Sequence, residues 1–195
     1  MAAASGRLIL ASTSIYRAQL LRQIGLDFDC VAPEVIEDEL PDETPPDRAL
    51  RLALAKAAAV AQRFPHATVI GSDQVAACGE RLLHKPGSRS NQITQLLQSS
   101  DQLLSFHTAL CVIDSVGARH NHVNHTQCRL RALSAGEVNR YVSAEAAVDC
   151  AGGFRIEALG ITLFDSVRSD DPSALIGLPL IALARILRTC GWKLP

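Results

Sequence analysis

A short apolar run that ends in hydroxyls and passes straight into helical periodicity sets the architecture of this chain. Arg7-Leu8-Ile9-Leu10-Ala11 reads as a buried strand. Ser12, Thr13 and Ser14 follow as helix-capping hydroxyls. Ile15, Ala18, Leu21 and Ile24 then share one helical face. Gly25 closes that helix, Phe28-Asp29-Cys30-Val31 forms a second strand, and Pro33 ends it. A strand–helix–strand opening predicts an α/β fold.

The rest of the chain continues the alternation. Glu34 to Pro46 is acidic and proline-rich, which predicts a loop. Thr44 or Asp47 caps a long helix to about Arg63, with Pro45 and Pro46 near its start. Thr68 to Ile70 is a strand leading into Gly71-Ser72-Asp73-Gln74, read as a segment beyond the strand's carboxyl end. Ser88 or Ser90 caps a helix through Leu97. Leu103–Val116 and Asn121–Leu133 read as long strands around a turn at residues 115–118. Ser134-Ala135-Gly136-Glu137 matches a capping box. Residues 150–154 form a glycine-rich loop, 161–164 a strand and 179–187 a closing helix.

At 195 residues the chain is long enough to bury a substantial core, as one domain or two closely joined lobes. The formal net charge is −1, without a basic stripe, and one tryptophan and two tyrosines offer few stacking platforms. Both facts argue against a nucleic-acid partner. No apolar stretch approaches the roughly 20 residues of a membrane span. Six scattered cysteines without a C-x-x-C pair, and no secretory leader, predict reduced thiols in a cytoplasmic protein.

Two segments carry polar groups suited to a nucleotide polyphosphate. In the first, Ser12 and Ser14 sit at a helix amino terminus and Arg17 lies one turn in. Unpaired N–H groups, hydroxyls and a guanidinium make an anion cradle, although the same residues also fit an ordinary cap. In the second, Asp73 precedes His84-Lys85-Pro86 by about a dozen residues. One acid of the loop (Glu34, Glu37, Asp38, Glu39) together with Asp73 suits Mg²⁺, which takes one or two carboxylates plus phosphate oxygens. The chain holds only three lysines, and two, Lys56 and Lys85, fall beside these segments. His120, His122 and His125 form H-x-H-x-x-H. On a strand His120 and His122 share a face open to zinc, or they are exposed hairpin surface.

Taken together these fragments resemble the Maf family of nucleoside triphosphate pyrophosphatases over nearly the whole chain. The matching elements are Leu8 to Ser14 with Arg17, Ala32-Pro33-Glu34 with Glu37, Leu54-Ala55-Lys56-Ala57, Gly71-Ser72-Asp73-Gln74 and Lys85-Pro86. The resemblance implies a single Maf-like domain over residues 1–195. Its fold is expected to be a mixed sheet flanked by helices, like that of the inosine triphosphate pyrophosphatases. Two closely joined lobes with an active-site cleft between them are implied as well. It implies a homodimer that cuts a nucleoside triphosphate into monophosphate and pyrophosphate with Mg²⁺ or Mn²⁺. By the same resemblance Asp73 accepts the proton of the attacking water, and Glu37 and Asp73 hold the metal. Ser12, Ser14, Arg17, Lys56 and Lys85 contact phosphates.

Tyr16, Gln74 and Glu157 resemble the branch of the family that prefers 7-methyl-GTP, as do residues 150–164 and Gly177-Leu178-Pro179-Leu180. Methylation at N7 makes the guanine ring cationic. An aromatic face attracts a cationic ring, and a carboxylate accepts from guanine's N1–H and amino group. Two positions depart from the family pattern: Ile36 stands where an aspartate is common, and His84 where a glycine is. Two rival readings remain at this level: a pyrophosphatase for a pyrimidine or other non-standard triphosphate, and a non-catalytic regulator binding a nucleotide or a cell-division partner.

Overall fold

The computed structural model describes residues 6–195. In chain order the elements are β1 (Leu8–Leu10), α1 (Ile15–Arg22), β2 (Asp29–Cys30), α2 (Pro45–Ala61), β3 (Thr68–Cys78) and β4 (Arg81–Leu83). They continue with α3 (Arg89–Ser99), β5 (Leu103–Ile113), β6 (Arg119–Leu130), α4 (Ala135–Ala144), β7 (Phe164–Arg168) and α5 (Leu180–Thr189). Short 3₁₀ turns cover Leu159–Leu163 and Pro172–Ile176. The strands form one mixed sheet in the order β2-β1-β3-β5-β6-β7, with β4 paired to β3. Among the described residues no helix is long and apolar enough to cross a membrane.

The chain divides into two compact units. The first holds the residues up to Gln74, Thr108–Asn124 and Asp171–Pro195; the second holds Val75–His107 and His125–Asp170. In the first, β1 pairs in parallel with β2 and β3, matching Ile9 to Asp29 and Leu10 to Ile70. Its core joins Leu10, Leu21, Ile70, Leu110 and Leu183. In the second, β4 lies antiparallel to β3 and β7 antiparallel to β6.

Local chemistry accounts for the helix starts. Ser14, Thr44, Ser88 and Ser134 each accept a backbone N–H from the first turn of α1, α2, α3 and α4. Ser134 and Glu137 complete the capping box. Bonds from the Ser134 backbone, then Arg131 and the Ser134 side chain, pull the Glu137 carboxyl pKa down to about 2. A depressed carboxylate stabilises the fold above its unfolded value, near 4.5, and that contribution disappears as pH falls through the folded value. Glu137→Gln is therefore expected to flatten the stability–pH curve between about pH 4.5 and 2. Urea midpoints across that range check it; parallel curves for variant and parent would remove the cap's acid-side role.

Three expectations are corrected. β3 does not stop at Ile70 but runs to Cys78, so Asp73 lies inside a strand rather than beyond its end. The run at 161–164 is mostly a 3₁₀ turn, with β7 starting at Phe164. Its geometry follows from Gly160, where any Cβ would lie 2.3 Å from the Arg155 carbonyl oxygen. Arg81-Leu82-Leu83 pairs with the end of β3 as an additional strand.

Gly71 is equally tight. A Cβ there would fall 2.3 Å from Ala53 O and 2.7 Å from Ala57 N, both backbone atoms of α2. Helix and strand touch main chain to main chain at this point. Gly71→Ala is expected to cost about 1–3 kcal/mol or more, because neither backbone can yield without displacing the core. A urea midpoint within error of the parent would contradict this contact.

Candidate active site

The buried face of α2 reads Ala49, Leu52, Ala53, Lys56, Ala57 and Val60. Lysine therefore occupies a core position of an amphipathic helix, at 6% exposure. A buried ammonium persists only when it is paired. Lys56 Nζ lies 2.6 Å from Asp73 Oδ1 and 2.7 Å from Glu37 Oε1. Asp73 is itself buried, whereas the Glu37 side chain is 53% exposed. One acid thus comes from a strand and the other from a loop, and a single ammonium gathers both.

Strand alternation explains the Gly-Ser-Asp-Gln segment. Gly71 and Asp73 face α2: the glycine admits the helix backbone, and the aspartate meets Lys56. Ser72 and Gln74 face the other way. Ser72 Oγ lies 2.7 Å from Ala109 O and 3.0 Å from Gly177 O. Gln74 Nε2 donates at 3.0 Å toward Thr108 Oγ1, Ala174 O and Leu175 O. Gln74 thus tethers the 174–175 backbone within its own unit.

Arg17 joins this group. Its Nε donates to Gly177 O at 2.9 Å, and Gly177 holds φ at 124°, a left-handed conformation that favours glycine. Burial lowers the Arg17 pKa from its ordinary value, while the charges of Asp73 and Glu37 pull it back up. The guanidinium stays protonated, since arginine titrates far above neutral pH. Ser12 is buried, and its Oγ accepts from Ser14 N at 3.1 Å; Ser14 caps α1 through Arg17 N. Tyr16 is half-buried in the first turn of the same helix.

Two arginines that the sequence reading did not single out shape the acidic loop. Arg48 donates to Glu37 O at 3.1 Å and pairs with Glu39 at 2.9 Å. Arg51 grips both carboxylate oxygens of Glu43, at 2.5 and 2.7 Å, and donates to Asp38 O at 3.0 Å. The bond to Glu43 raises the Arg51 pKa and lowers that of Glu43. Both arginines sit on α2 one or two turns before Lys56. Their i, i+3 and i+8 spacing to one another and to Lys56 was the available signal. The loop atom at the departure, Ile36, is 80% exposed.

Lys85 and Glu157 belong to the second unit. Lys85 is exposed in a turn held by Asn91 Nδ2 to Pro86 O at 3.0 Å and Gln95 Nε2 to His84 O at 3.2 Å. Glu157 is exposed on a loop held by buried Glu145, which accepts from Leu159 N at 2.8 Å and Tyr141 OH at 3.0 Å.

His120 and His122 both lie in β6 and have different neighbours. His120 Nε2 faces Asp114 Oδ2 at 3.3 Å, and His122 responds to Arg185 and Asp171 after burial lowers its pKa. His125 stacks on His107, with ring centroids 4.7 Å apart.

The chain is 52% identical over 189 residues to the 7-methyl-GTP pyrophosphatase of Xanthomonas axonopodis pv. citri (strain 306), covering 97% of this chain and 99% of that one. It is 50% identical to the protein of the same name from Aromatoleum aromaticum, covering 97% and 98%. Among solved structures, the Staphylococcus aureus Ham1 protein aligns with a TM-score of 0.46 and 16% identity, over 64% of this chain and 71% of that one. The family model described as Maf-like protein matches residues 7–190. The chain belongs to the Maf-like protein family.

Proposed function

We propose that this protein hydrolyses 7-methyl-GTP to 7-methyl-GMP and pyrophosphate, attacking between the α and β phosphates. The observation that carries the reading is the buried Lys56 ammonium gathering Asp73 and Glu37. It occurs in a chain half identical, end to end, to relatives named 7-methyl-GTP pyrophosphatase.

Each residue then has a task. Of the two acids at Lys56, Asp73 is the buried one, so it orients the attacking water and takes its proton. Lys56 fixes Asp73 Oδ1 and sets a positive charge beside it. Arg17 is anchored through Nε, which sets the guanidinium plane for the two Nη groups to clamp a phosphate. Ser12, Ser14 and the N–H groups at the start of α1 cradle the polyphosphate. Charge that builds on the leaving pyrophosphate meets cations already in place.

Glu37 and Asp73 would hold Mg²⁺ or Mn²⁺, because carboxylate oxygens match the preference of these ions. When bound there, such an ion would supply positive charge to the phosphate oxygens. Lys85 takes a phosphate role, and Tyr16 and Glu157 read the cationic base, by the chemistry set out from the sequence. Gln74 acts on specificity by holding residues 174–175. A homodimer in the cytoplasm completes the proposal.

Product analysis on 7-methyl-GTP, GTP, dTTP and UTP, with and without Mg²⁺ or Mn²⁺, tests it. We expect metal-dependent release of pyrophosphate with 7-methyl-GTP preferred. Equal or better use of dTTP or UTP rejects the substrate, and silence across the panel favours a non-catalytic nucleotide-binding role. Glu157→Gln is expected to lower kcat/KM for 7-methyl-GTP roughly tenfold or more, the worth of a hydrogen bond to a charged group. An unchanged selectivity ratio against GTP would take Glu157 out of base recognition.

A further inference from the structure

We propose a transition-metal site, separate from the carboxylate pair at Lys56, formed by Asp114, His120 and Cys190 and selective for Zn²⁺. The three come from distant parts of the first unit: the residue after β5, the second position of β6, and the carboxyl cap of α5. One ligand atom from each lies within 4.8 Å of the others. No other triple of histidine, cysteine, aspartate or glutamate meets that condition among the described residues.

The geometry is prepared for a cation. Asp114 Oδ1 accepts from Val116 N at 3.0 Å and Ala118 N at 2.8 Å, which locks the carboxylate in the β5–β6 turn. Its second oxygen, Oδ2, faces His120 Nε2 at 3.3 Å. Cys190 N is bonded to Ile186 O at 2.9 Å, so the thiol is carried on an ordered helix end. All three residues are half-buried, shielded yet reachable.

The donor set chooses the metal. Zinc bonds thiolate at about 2.3 Å, imidazole at about 2.0–2.1 Å and carboxylate at about 2.0–2.2 Å. Tetrahedral ligands therefore sit roughly 3.3–3.6 Å apart, which small side-chain rotations reach from the present spacing. A thiolate and a carboxylate balance both charges of the ion, and imidazole adds none. The sulfur excludes Mg²⁺, which demands oxygen. On binding, the Cys190 S–H proton passes to solvent and a Zn–S bond replaces it. The ion then clasps the β5–β6 turn to the end of α5. His120 changes its partner from the aspartate to the metal, while Asp114 keeps the turn through Oδ1.

Titration of the full-length reduced protein with Co²⁺, a spectroscopic stand-in for Zn²⁺, tests the site. We expect one equivalent to produce thiolate-to-cobalt charge-transfer absorption that Zn²⁺ displaces. Cys190→Ser and His120→Gln should each abolish the band or weaken binding by more than roughly tenfold, since losing a ligand exceeds losing a supporting bond. Cys30→Ser, which alters an exposed thiol elsewhere, should leave it intact. His120→Gln keeps the test decisive if the cysteine variant folds poorly. Absence of the band, or its survival with undiminished affinity in either ligand variant, overturns the site. Pyrophosphate release by these variants is measured separately, so failure here and failure of the proposed activity are distinguishable.

Discussion

Asp73→Asn is expected to lower the rate of pyrophosphate release by roughly 10²–10⁴-fold, the range of a lost general base, while the protein stays folded. Asparagine keeps the volume and retains an oxygen to accept from Lys56, and Glu37 still pairs with the ammonium. What disappears is the capacity to take a proton. The measurement is single-turnover product formation alongside a thermal melt of the same preparation. A purely architectural Asp73 gives the opposite signature: a lower melting midpoint with an unchanged rate per folded molecule. That result would move the catalytic assignment elsewhere.

Lys56→Met is expected to destabilise the fold by about 3 kcal/mol, the lower end of the cost of removing one partner from a buried ion pair. Methionine fills the apolar face of α2, so packing is nearly conserved. The loss is electrostatic: Asp73 keeps its place inside the sheet without the charge that compensated it. Half-exposed Glu37 can turn toward water, which holds the penalty down. Turnover is expected to fall with stability, because the carboxylate proposed to orient water loses its anchor. Urea unfolding checks the first effect and steady-state kinetics the second. A stability change below about 1 kcal/mol would mean that the ammonium is dispensable to the fold.

The parts of the molecule governed by neighbouring residues were legible. Ser14, Thr44, Ser88 and Ser134 announced their helices, and the capping box at Ser134 and Glu137 formed as read. The residues of the candidate site were also visible as types at a spacing. Their partners were not. Gly71 to Gln74 looks like a loop because all four of its residues are polar or lack a side chain, yet it is the interior of β3. Each is accommodated by a residue 15 or more positions away: Ala53 and Lys56 on one face, Ala109, Thr108 and Gly177 on the other. Periodicity cannot foresee such matches. The same blindness hid Arg48 and Arg51, whose work lies in the loop they hold rather than in any pattern of their own.

The missing methyl at residue 71 has an effect beyond packing. Because helix and strand rest backbone on backbone there, the depth at which α2 lies against β3 sets how far the Lys56 nitrogen must stretch to reach the next inward-facing residue. A spacer of one carbon would lengthen that reach before it unravelled anything. A single hydrogen atom thereby gauges the alignment of Lys56 with Asp73.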